Sequence, residues 1–319
     1  MTDSFGAATR RSVTAGLLGL GVAGMGVAGM GAASSQPAPD TTLPGPGADA
    51  GAGERADMFS FDGWAGPALP VWTYTPDTAK ESLPLVIVMH GQGRNASEYR
   101  DQWIAAARTH RFAIAAPEFA RTDFPAASHY NLGNREDADG RAVAPALWSF
   151  SAIEPLFDAA RTRLGLTCES YGVYGHSAGA QFVHRYLAFS AAPRVHAAVS
   201  ANAGWYTRPE FDIAWPFGLG GTGLGGADLA RWLARPMTVL LGSADTIQSG
   251  SLNQTEEAMA QGPHRLARGR SFMEAGLTAA EALGAPLNWR LGFVPGVGHD
   301  NSLMAEHAAH DLVTRPSTP

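Results

Sequence analysis

The sequence predicts an α/β fold, in which a mostly parallel central sheet carries helices on both faces. From about residue 48 onward, apolar runs of strand length alternate with segments of helical periodicity. The run "LVIVM" at Leu85–Met89 is apolar throughout, as expected of a strand that is buried on both faces. The chain has 319 residues, of which 45% are hydrophobic, so it can bury a large core as one domain.

The elements follow one another in a regular order along this part of the chain. Two short runs at 58–61 and 70–74 predict a leading antiparallel pair of strands, followed by the strand at Leu85–Met89. A helix is predicted over 98–110, because its apolar residues recur at helical spacing. Further strands are predicted at 112–116, 171–174, 195–200, 237–241 and 289–293. Further helices are predicted at Ile153–Leu164, Ala178–Phe189, 263–283 and 302–313.

Two long segments, 121–145 and 205–226, interrupt the alternation and are rich in turn residues, glycine and aromatics. Long irregular connections in a compact domain are often functional, so we expect these two to form walls of a cleft. Four aromatic side chains in or beside them are candidates for holding a substrate, namely Trp148, Trp205, Tyr206 and Trp215. The alternative is that each one packs its loop onto the core.

Composition and motifs exclude several classes of function. The net charge is −6, and no basic cluster is present that could follow a phosphate backbone, so we expect no nucleic-acid partner. The sequence "GLGGTG" at 218–223 fits a dinucleotide-binding pattern, but no buried strand precedes it, so that interpretation fails. Cys168 is the single cysteine, and no Cys/His set has zinc spacing. We therefore expect no metal and no cofactor.

One serine in the stretch "YGVYGHSAGAQFVHRY" is flanked by two glycines. Ser177 lies between Gly175 and Gly179, where a predicted strand must turn at once into the helix Ala178–Phe189. Such a sharp turn strains the serine backbone, and a side chain two positions before or after it would collide with the neighbouring strand or helix. We expect the hydroxyl at the carboxyl edge of the sheet, where the amide of Ala178 can stabilise an oxyanion.

The pentapeptide Gly175-His176-Ser177-Ala178-Gly179 resembles the nucleophile elbow of the α/β-hydrolase family. The resemblance extends over most of residues 55–315. It implies an α/β-hydrolase fold with little or no cap domain, and a nucleophilic role for the serine.

The segment His90-Gly91-Gln92-Gly93, directly after a predicted strand, is similar to the H-G-x-G loop of the same family. The resemblance implies that the backbone N–H of Gln92, together with that of Ala178, forms an oxyanion hole. Gly91 and Gly93 would let the loop approach the substrate. The histidine of this loop is expected to form structural hydrogen bonds rather than to act as a base.

A serine hydroxyl needs a base to accept its proton, and histidine is suited to this because it titrates near neutral pH. His299, in "VPGVGHD" after the last predicted strand, is the candidate, since the family's chain order places the histidine last. Asp245, in "MTVLLGSADT" after another strand, is the candidate for the carboxylate that orients it. Asp300 is the alternative carboxylate, and a loop-capping role is the alternative for Asp245.

The resemblance implies an acyl-enzyme mechanism without a metal. The loop start "HGQGR" and the segment "YNLGN" are similar to the polyhydroxybutyrate depolymerase and feruloyl esterase group. We expect a serine hydrolase that cleaves small-molecule or polymeric carboxylic esters. Two alternatives stay open: a peptidase or polyamide hydrolase with the same triad, and a non-catalytic binding protein on the same scaffold.

The amino terminus differs in composition from the rest of the chain. Arg10 and Arg11 precede a weakly hydrophobic run at 13–33, and a polar, proline-rich segment follows. This pattern resembles a twin-arginine export signal, so we expect a periplasmic or extracellular protein. A membrane anchor is the alternative, but glycine disfavours helices and we expect no membrane span in the mature chain. The expected domains are an export signal at 1–33, a disordered linker at 34–54 and an α/β-hydrolase catalytic domain at 55–315.

Overall fold

The computed structural model describes residues 53–76, 82–191, 193–248 and 250–313. The predicted export signal lies outside these ranges, and so does the predicted linker apart from Gly53 and Glu54. Within these ranges, none of the helices combines the length and the apolar character needed to cross a membrane.

A single eight-stranded sheet runs through the described part of the chain, in the order β1-β2-β4-β3-β5-β6-β7-β8. β1 and β2 pair antiparallel, as do β2 and β4, and all other neighbours are parallel. The predicted α/β fold and its leading antiparallel pair are therefore confirmed. The strands are β1 Arg55–Phe61, β2 Leu69–Thr75, β3 Leu85–Met89, β4 Ala113–Pro117, β5 Tyr171–His176, β6 Val195–Ala201, β7 Met237–Gly242 and β8 Trp289–Val294.

Helices cover both faces of this sheet. They are α1 Ala96–Gln102, α2 Ile104–His110, α3 Ile153–Leu164, α4 Ala178–Phe189, α5 Gly226–Leu233, α6 Glu256–Ala260, α7 Arg265–Leu283 and α8 Asn301–Val313. The short helices α5 and α6 were not predicted, because eight and five residues are too few for helical periodicity to stand out.

The helix predicted over 98–110 is two helices in the structure. The break lies at Trp103, whose N–H donates to the carbonyl oxygen of Arg100, three residues back rather than four. Its indole is fully buried, with its centroid 4.4 Å from that of the Tyr174 ring. Trp103 is one of the apolar residues whose spacing predicted the helix, but that spacing does not encode this local tightening of the backbone.

Strand β3 contributes side chains to the hydrophobic core on both faces of the sheet. All five of its side chains are fully buried, and successive side chains of a strand point to opposite faces. Leu85, Ile87 and Met89 belong to a hydrophobic cluster with α3, α4, α5 and α7. Val86 and Val88 belong to a second cluster with α1, α2 and α8. The uninterrupted apolar run therefore reflects burial on both faces.

The parallel strands bring three loops to one edge of the sheet. β5 ends at His176, β7 at Gly242 and β8 at Val294, and these strands lie close together in the order β5-β6-β7-β8. In open parallel sheets, ligands bind beyond the carboxyl ends of the strands. The loops after these three strands carry the predicted serine, aspartate and histidine.

Candidate active site

Ser177 occupies the sharp turn between β5 and α4. Its backbone has φ 59° and ψ −114°, a strained conformation for a residue with a side chain. The turn is held because the N–H of Ser177 donates to the carbonyl oxygen of Ala201, at the end of β6, over 3.0 Å. The neighbouring N–H of Ala178 lies in the first turn of α4, where backbone donors have no intrahelical acceptor.

The two glycines beside this serine leave no room for a side chain. A Cβ at Gly175 would lie 2.1 Å from the carbonyl oxygen of Gly179, which belongs to α4. A Cβ at Gly179 would lie 2.1 Å from the carbonyl oxygen of Met89 and 2.8 Å from that of His90. Helix α4 thus starts in backbone contact with the ends of β3 and β5, and only glycine permits this approach.

The loop after β3 lies beside the serine. A Cβ at Gly91 would be 2.7 Å from the Tyr99 hydroxyl oxygen and 3.8 Å from Cβ of Ser177. The carbonyl oxygen of Gln92 accepts a hydrogen bond from the Arg121 side chain at 2.5 Å. This hydrogen bond holds the peptide group between Gln92 and Gly93. At Gly93 a Cβ would meet only the end of a neighbouring side chain, at 3.0 Å.

His90 forms part of the support for this loop. Its Nε2 accepts a hydrogen bond from the N–H of Phe119 at 3.0 Å, so Nδ1 carries the proton and donates to the carbonyl oxygen of Gly91 at 2.9 Å. Complete burial lowers the pKa of His90 to about 3. The His90 ring is thus neutral, and both of its nitrogens are hydrogen-bonded, which agrees with the structural role expected for it.

Two further side chains, those of Arg94 and Tyr130, also hold the loop after β3 in place. The Tyr130 hydroxyl donates to the carbonyl oxygen of His90 at 2.7 Å. The Arg94 guanidinium donates to the carbonyl oxygen of Phe119 at 2.5 Å and lies 4.4 Å from the centroid of the Tyr130 ring. Sequence reasoning did not identify Arg94, and its position in "HGQGR" gave no indication of these contacts.

Asp245 and His299 meet across 54 positions of sequence. Oδ2 of Asp245 lies 2.8 Å from Nδ1 of His299. A carboxylate can only accept, so Nδ1 is the donor and Nε2 keeps its lone pair for proton transfer. The Asp245 side chain is 2% exposed, whereas that of His299 is 28% exposed. The carboxylate is therefore enclosed, and the imidazole faces solvent at the edge of the sheet.

Ser177 is the third member of the predicted triad. The residue that precedes it, His176, contacts the His299 ring. The ring of His176 packs against that of His299, with centroids 4.4 Å apart. Among the described residues, the His299 ring is hydrogen-bonded to Asp245 and not to the Ser177 hydroxyl. On its other side, Nδ1 of His176 lies 3.3 Å from the hydroxyl oxygen of Tyr99.

The second oxygen of Asp245 has a partner that the sequence did not suggest. Nη1 of Arg265 lies 3.5 Å from Oδ1 of Asp245, and both side chains are almost fully buried. Asp300, the alternative carboxylate, instead accepts a hydrogen bond from the N–H of Leu303 at 3.1 Å and from the hydroxyl of Ser302. Asp300 therefore caps helix α8.

The aromatic candidates for substrate contact have different positions. Tyr206 is fully buried, and its ring stacks on that of Phe272 with centroids 4.4 Å apart. The expectation that Tyr206 contacts substrate is wrong for this structure, because its side chain packs the loop onto the core. Trp205 is 8% exposed and follows Gly204, which lies against the Gln181 side chain one turn beyond Ser177.

Trp148 and Trp215 lie at the other end of α4. Their rings lie 6.3 Å and 5.1 Å from that of Phe189, the last residue of this helix. Twelve residues of helix separate Phe189 from Ser177, a rise of about 18 Å. These two indoles surround the Arg135 guanidinium. Any contact of theirs with a substrate would therefore lie away from the serine, and their role in holding a substrate stays a prediction.

Solved structures give the relationship of this chain to known proteins. Poly(aspartic acid) hydrolase-1 from Sphingomonas sp. KT-1 is 42% identical, with a TM-score of 0.79, covering 81% of this chain and 98% of the other. LpqC, a poly(3-hydroxybutyrate) depolymerase from Bordetella parapertussis, is 38% identical, with a TM-score of 0.76, covering 80% and 88%. The chain belongs to the α/β-hydrolase family. This hydrolase matches no protein-family model and no curated protein.

A more distant structure shares only the fold of this hydrolase. The siderophore hydrolase EstB from Aspergillus nidulans is 13% identical, with a TM-score of 0.52, covering 86% of this chain and all of the other. Within the described residues of the hydrolase, no group of three or more histidine, cysteine, aspartate or glutamate side chains could hold a metal ion.

Proposed function

We propose that this hydrolase cleaves carboxylic esters through an acyl-enzyme formed on Ser177, with His299 as the base and Asp245 as the carboxylate that orients it. The observation that carries the proposal is the 2.8 Å contact between Nδ1 of His299 and Oδ2 of Asp245, beside the residue that precedes the serine. The buried carboxylate fixes the tautomer of the imidazole and stabilises its protonated form during the reaction.

The proposed reaction has two halves. Oγ of Ser177 attacks the acyl carbon while its proton passes to Nε2 of His299, and the carbonyl oxygen becomes an oxyanion. The same proton then goes to the leaving alcohol, and the ester bond breaks to give the acyl-enzyme. Water attacks this intermediate with His299 again as base, which releases the acid and restores the serine.

The proposed oxyanion hole consists of the backbone N–H groups of Gln92 and Ala178. The amide at the start of α4 and the closeness of Gly91 to Ser177 support it. Each donor of such a hole typically contributes about 2.7 to 4 kcal/mol to lowering the barrier. The hydrogen bonds of His90, Arg94 and Tyr130 would keep the loop in place without further reorganisation.

The two candidate classes of substrate differ in the bond that is cleaved, an ester or an amide. A polyester is the first candidate, in keeping with the 38% identity to a poly(3-hydroxybutyrate) depolymerase. An amide polymer is the second, and the 42% identity to a poly(aspartic acid) hydrolase favours it. Both would use the same acyl-transfer site, since esters and amides pass through the same tetrahedral oxyanion.

The test compares four substrates with the purified protein: p-nitrophenyl acyl esters, poly(3-hydroxybutyrate), peptide anilides and poly(aspartic acid). Ester turnover that exceeds amide turnover is the expected result. A fluorophosphonate should label Ser177, and the Ser177→Ala variant should lose both labelling and turnover while keeping the wild-type melting temperature. Faster amide turnover would establish the second candidate. No turnover and no labelling would indicate a binding protein on this scaffold.

Export through the twin-arginine route is part of the proposal. It is supported by the arginine pair at Arg10 and Arg11 in the sequence. Replacing both arginines by lysine should retain the protein in the bacterial cytoplasm, and export that continues unchanged would contradict this route.

A further inference from the structure

A buried guanidinium lies behind the proposed catalytic carboxylate. One oxygen of Asp245 accepts the hydrogen bond from His299, and the other lies 3.5 Å from Nη1 of Arg265. The two side chains of the ion pair are 4% and 2% exposed. Charges enclosed in this way are screened little by solvent, so each strongly affects its neighbours.

Arg265 lies where two effects disfavour its positive charge, and the ion pair with Asp245 opposes both of them. Arg265 is the first residue of α7, where the helix dipole disfavours a positive charge. Burial also lowers the pKa of its guanidinium, whereas the nearby Asp245 acts in the opposite direction. In addition, the N–H of Leu266 donates to the carbonyl oxygen of Asp245 at 3.3 Å, which ties the start of α7 to the carboxylate loop.

The charged and titratable groups around the imidazole of His299 come from several elements. Asp245 follows β7, His176 ends β5, Asp300 precedes α8, and Arg265 begins α7 behind the carboxylate. Burial keeps His176 uncharged, since its pKa is well below the ordinary value. Arg265 is the single cation in this set, and it acts directly on the carboxylate that would otherwise stabilise the imidazolium alone.

We propose that Arg265 is a positioning residue that holds Asp245 and offsets its charge, so that His299 stays unprotonated to lower pH than beside an unpaired carboxylate. The inference rests on the proposed function, in which His299 must be neutral to accept a proton. Without the guanidinium, the carboxylate would stabilise the imidazolium more strongly, and the base would be lost at a higher pH.

The experiment measures kcat/KM against pH for the wild type and for Arg265→Met, which removes the charge but keeps much of the volume. The acid limb of the variant should move up by about one pH unit, so that kcat/KM on that limb falls about tenfold at a given pH. At alkaline pH the two proteins should differ much less. Arg265→Lys keeps the charge and should leave the limb near its wild-type position.

Arg268 provides a matched control on the same helix. It is a fully buried arginine that donates to the carbonyl oxygens of Gly262, Gly204 and Asn253 and makes no ion pair with Asp245. Arg268→Met should therefore lower the melting temperature without moving the acid limb. A limb that moves equally in both variants would indicate a general loss of structure and overturn the proposal.

A second readout does not require hydrolysis. The ring signals of His299 in the NMR spectrum, assigned with a His299→Gln variant, should titrate at a higher pH in Arg265→Met than in the wild type. An unchanged midpoint would overturn the role of Arg265 and leave the proposed function intact. If Arg265→Met does not fold, Arg265→Gln and Arg265→Lys give the same comparison. Absence of turnover in the wild type would contradict the proposed function alone.

Discussion

The imidazole of His176 packs against the imidazole of His299, with ring centroids 4.4 Å apart and planes inclined by 34°. Burial, and secondarily the neighbouring His299, lower the pKa of His176 well below that of a free histidine. An uncharged ring therefore lies beside the group that must gain a proton in the proposed reaction. His176, which lies between Gly175 and Ser177 in the elbow, thus packs against one face of the proposed base His299.

Replacing His176 tests this contact. His176→Ala would leave a cavity beside the base, and we expect kcat/KM to fall about 10- to 100-fold because the ring of His299 is no longer held in place. His176→Phe keeps a flat ring there and loses only the contact with Tyr99, so its loss should be about fivefold at most. Steady-state kinetics on a p-nitrophenyl ester give both values. Wild-type activity of the alanine variant would show that the contact does not position the base.

Asp245 and Asp300 can be separated by the same substitution. Asp245→Asn should lower kcat by about 10³- to 10⁴-fold with little change in KM, because the amide no longer fixes the required tautomer of His299. Asp300→Asn should keep most of the activity, since asparagine caps a helix about as well as aspartate. The comparison is made at equal folded fraction, verified by circular dichroism. A larger loss in the Asp300 variant would reverse the assignment.

The glycine after the serine provides a steric test. Gly179→Ala places a Cβ 2.1 Å from the carbonyl oxygen of Met89, a backbone atom that cannot move away easily. We expect the free energy of unfolding to fall by about 3 kcal/mol or more. Gly226→Ala, in the first turn of α5 with its nearest atom 3.8 Å away, should be neutral or stabilising by up to about 1 kcal/mol. Urea denaturation measures both, and equal stabilities would contradict the steric argument.

Buried histidines should make the fold sensitive to mild acid. Burial lowers the pKa of His184 well below its ordinary value of 6.5, and its Nε2 accepts the N–H of Thr207 at 3.1 Å. The unfolded chain therefore binds a proton below pH 6.5 that the folded chain does not. Stability is then complete above pH 6.5 and is lost as the pH falls, by up to about 1.4 kcal/mol per pH unit for each such histidine.

The measurement is the free energy of unfolding in urea at pH 7.5 and 5.5. His90 has the same arrangement, with a pKa of about 3 in the folded protein, and contributes in the same direction. A His184→Asn variant should be less stable at pH 7.5 but should lose less on acidification than the wild type. Equal losses in the two proteins would exclude His184 from the effect.

Local patterns in the sequence were sufficient for most of the fold. The uninterrupted run of β3 and the alternation of strands and helices predicted the sheet, because side-chain periodicity follows directly from backbone geometry. The break at Trp103 and the short helix α5 were not predicted, since each depends on a few backbone hydrogen bonds. The packing of Trp148 and Trp215 around Arg135 was also not predicted, because the direction of a loop is decided by tertiary packing.

The sequence by itself determined where a strained serine can stand, because Gly175 and Gly179 flank Ser177 at the junction of a predicted strand and a predicted helix. The tertiary structure added that a Cβ at Gly179 would collide with the carbonyl oxygen of Met89 in β3. It also predicted that Asp245 and His299 each follow a strand, and the structure shows that these two strands, β7 and β8, are neighbours in the sheet. Only the tertiary structure decided that these two side chains are in contact, that His176 supports the base and that Arg265 lies behind the carboxylate. These relationships join residues 20 to more than 100 positions apart, and only the packing of β5, β7, α7 and α8 fixes their distances.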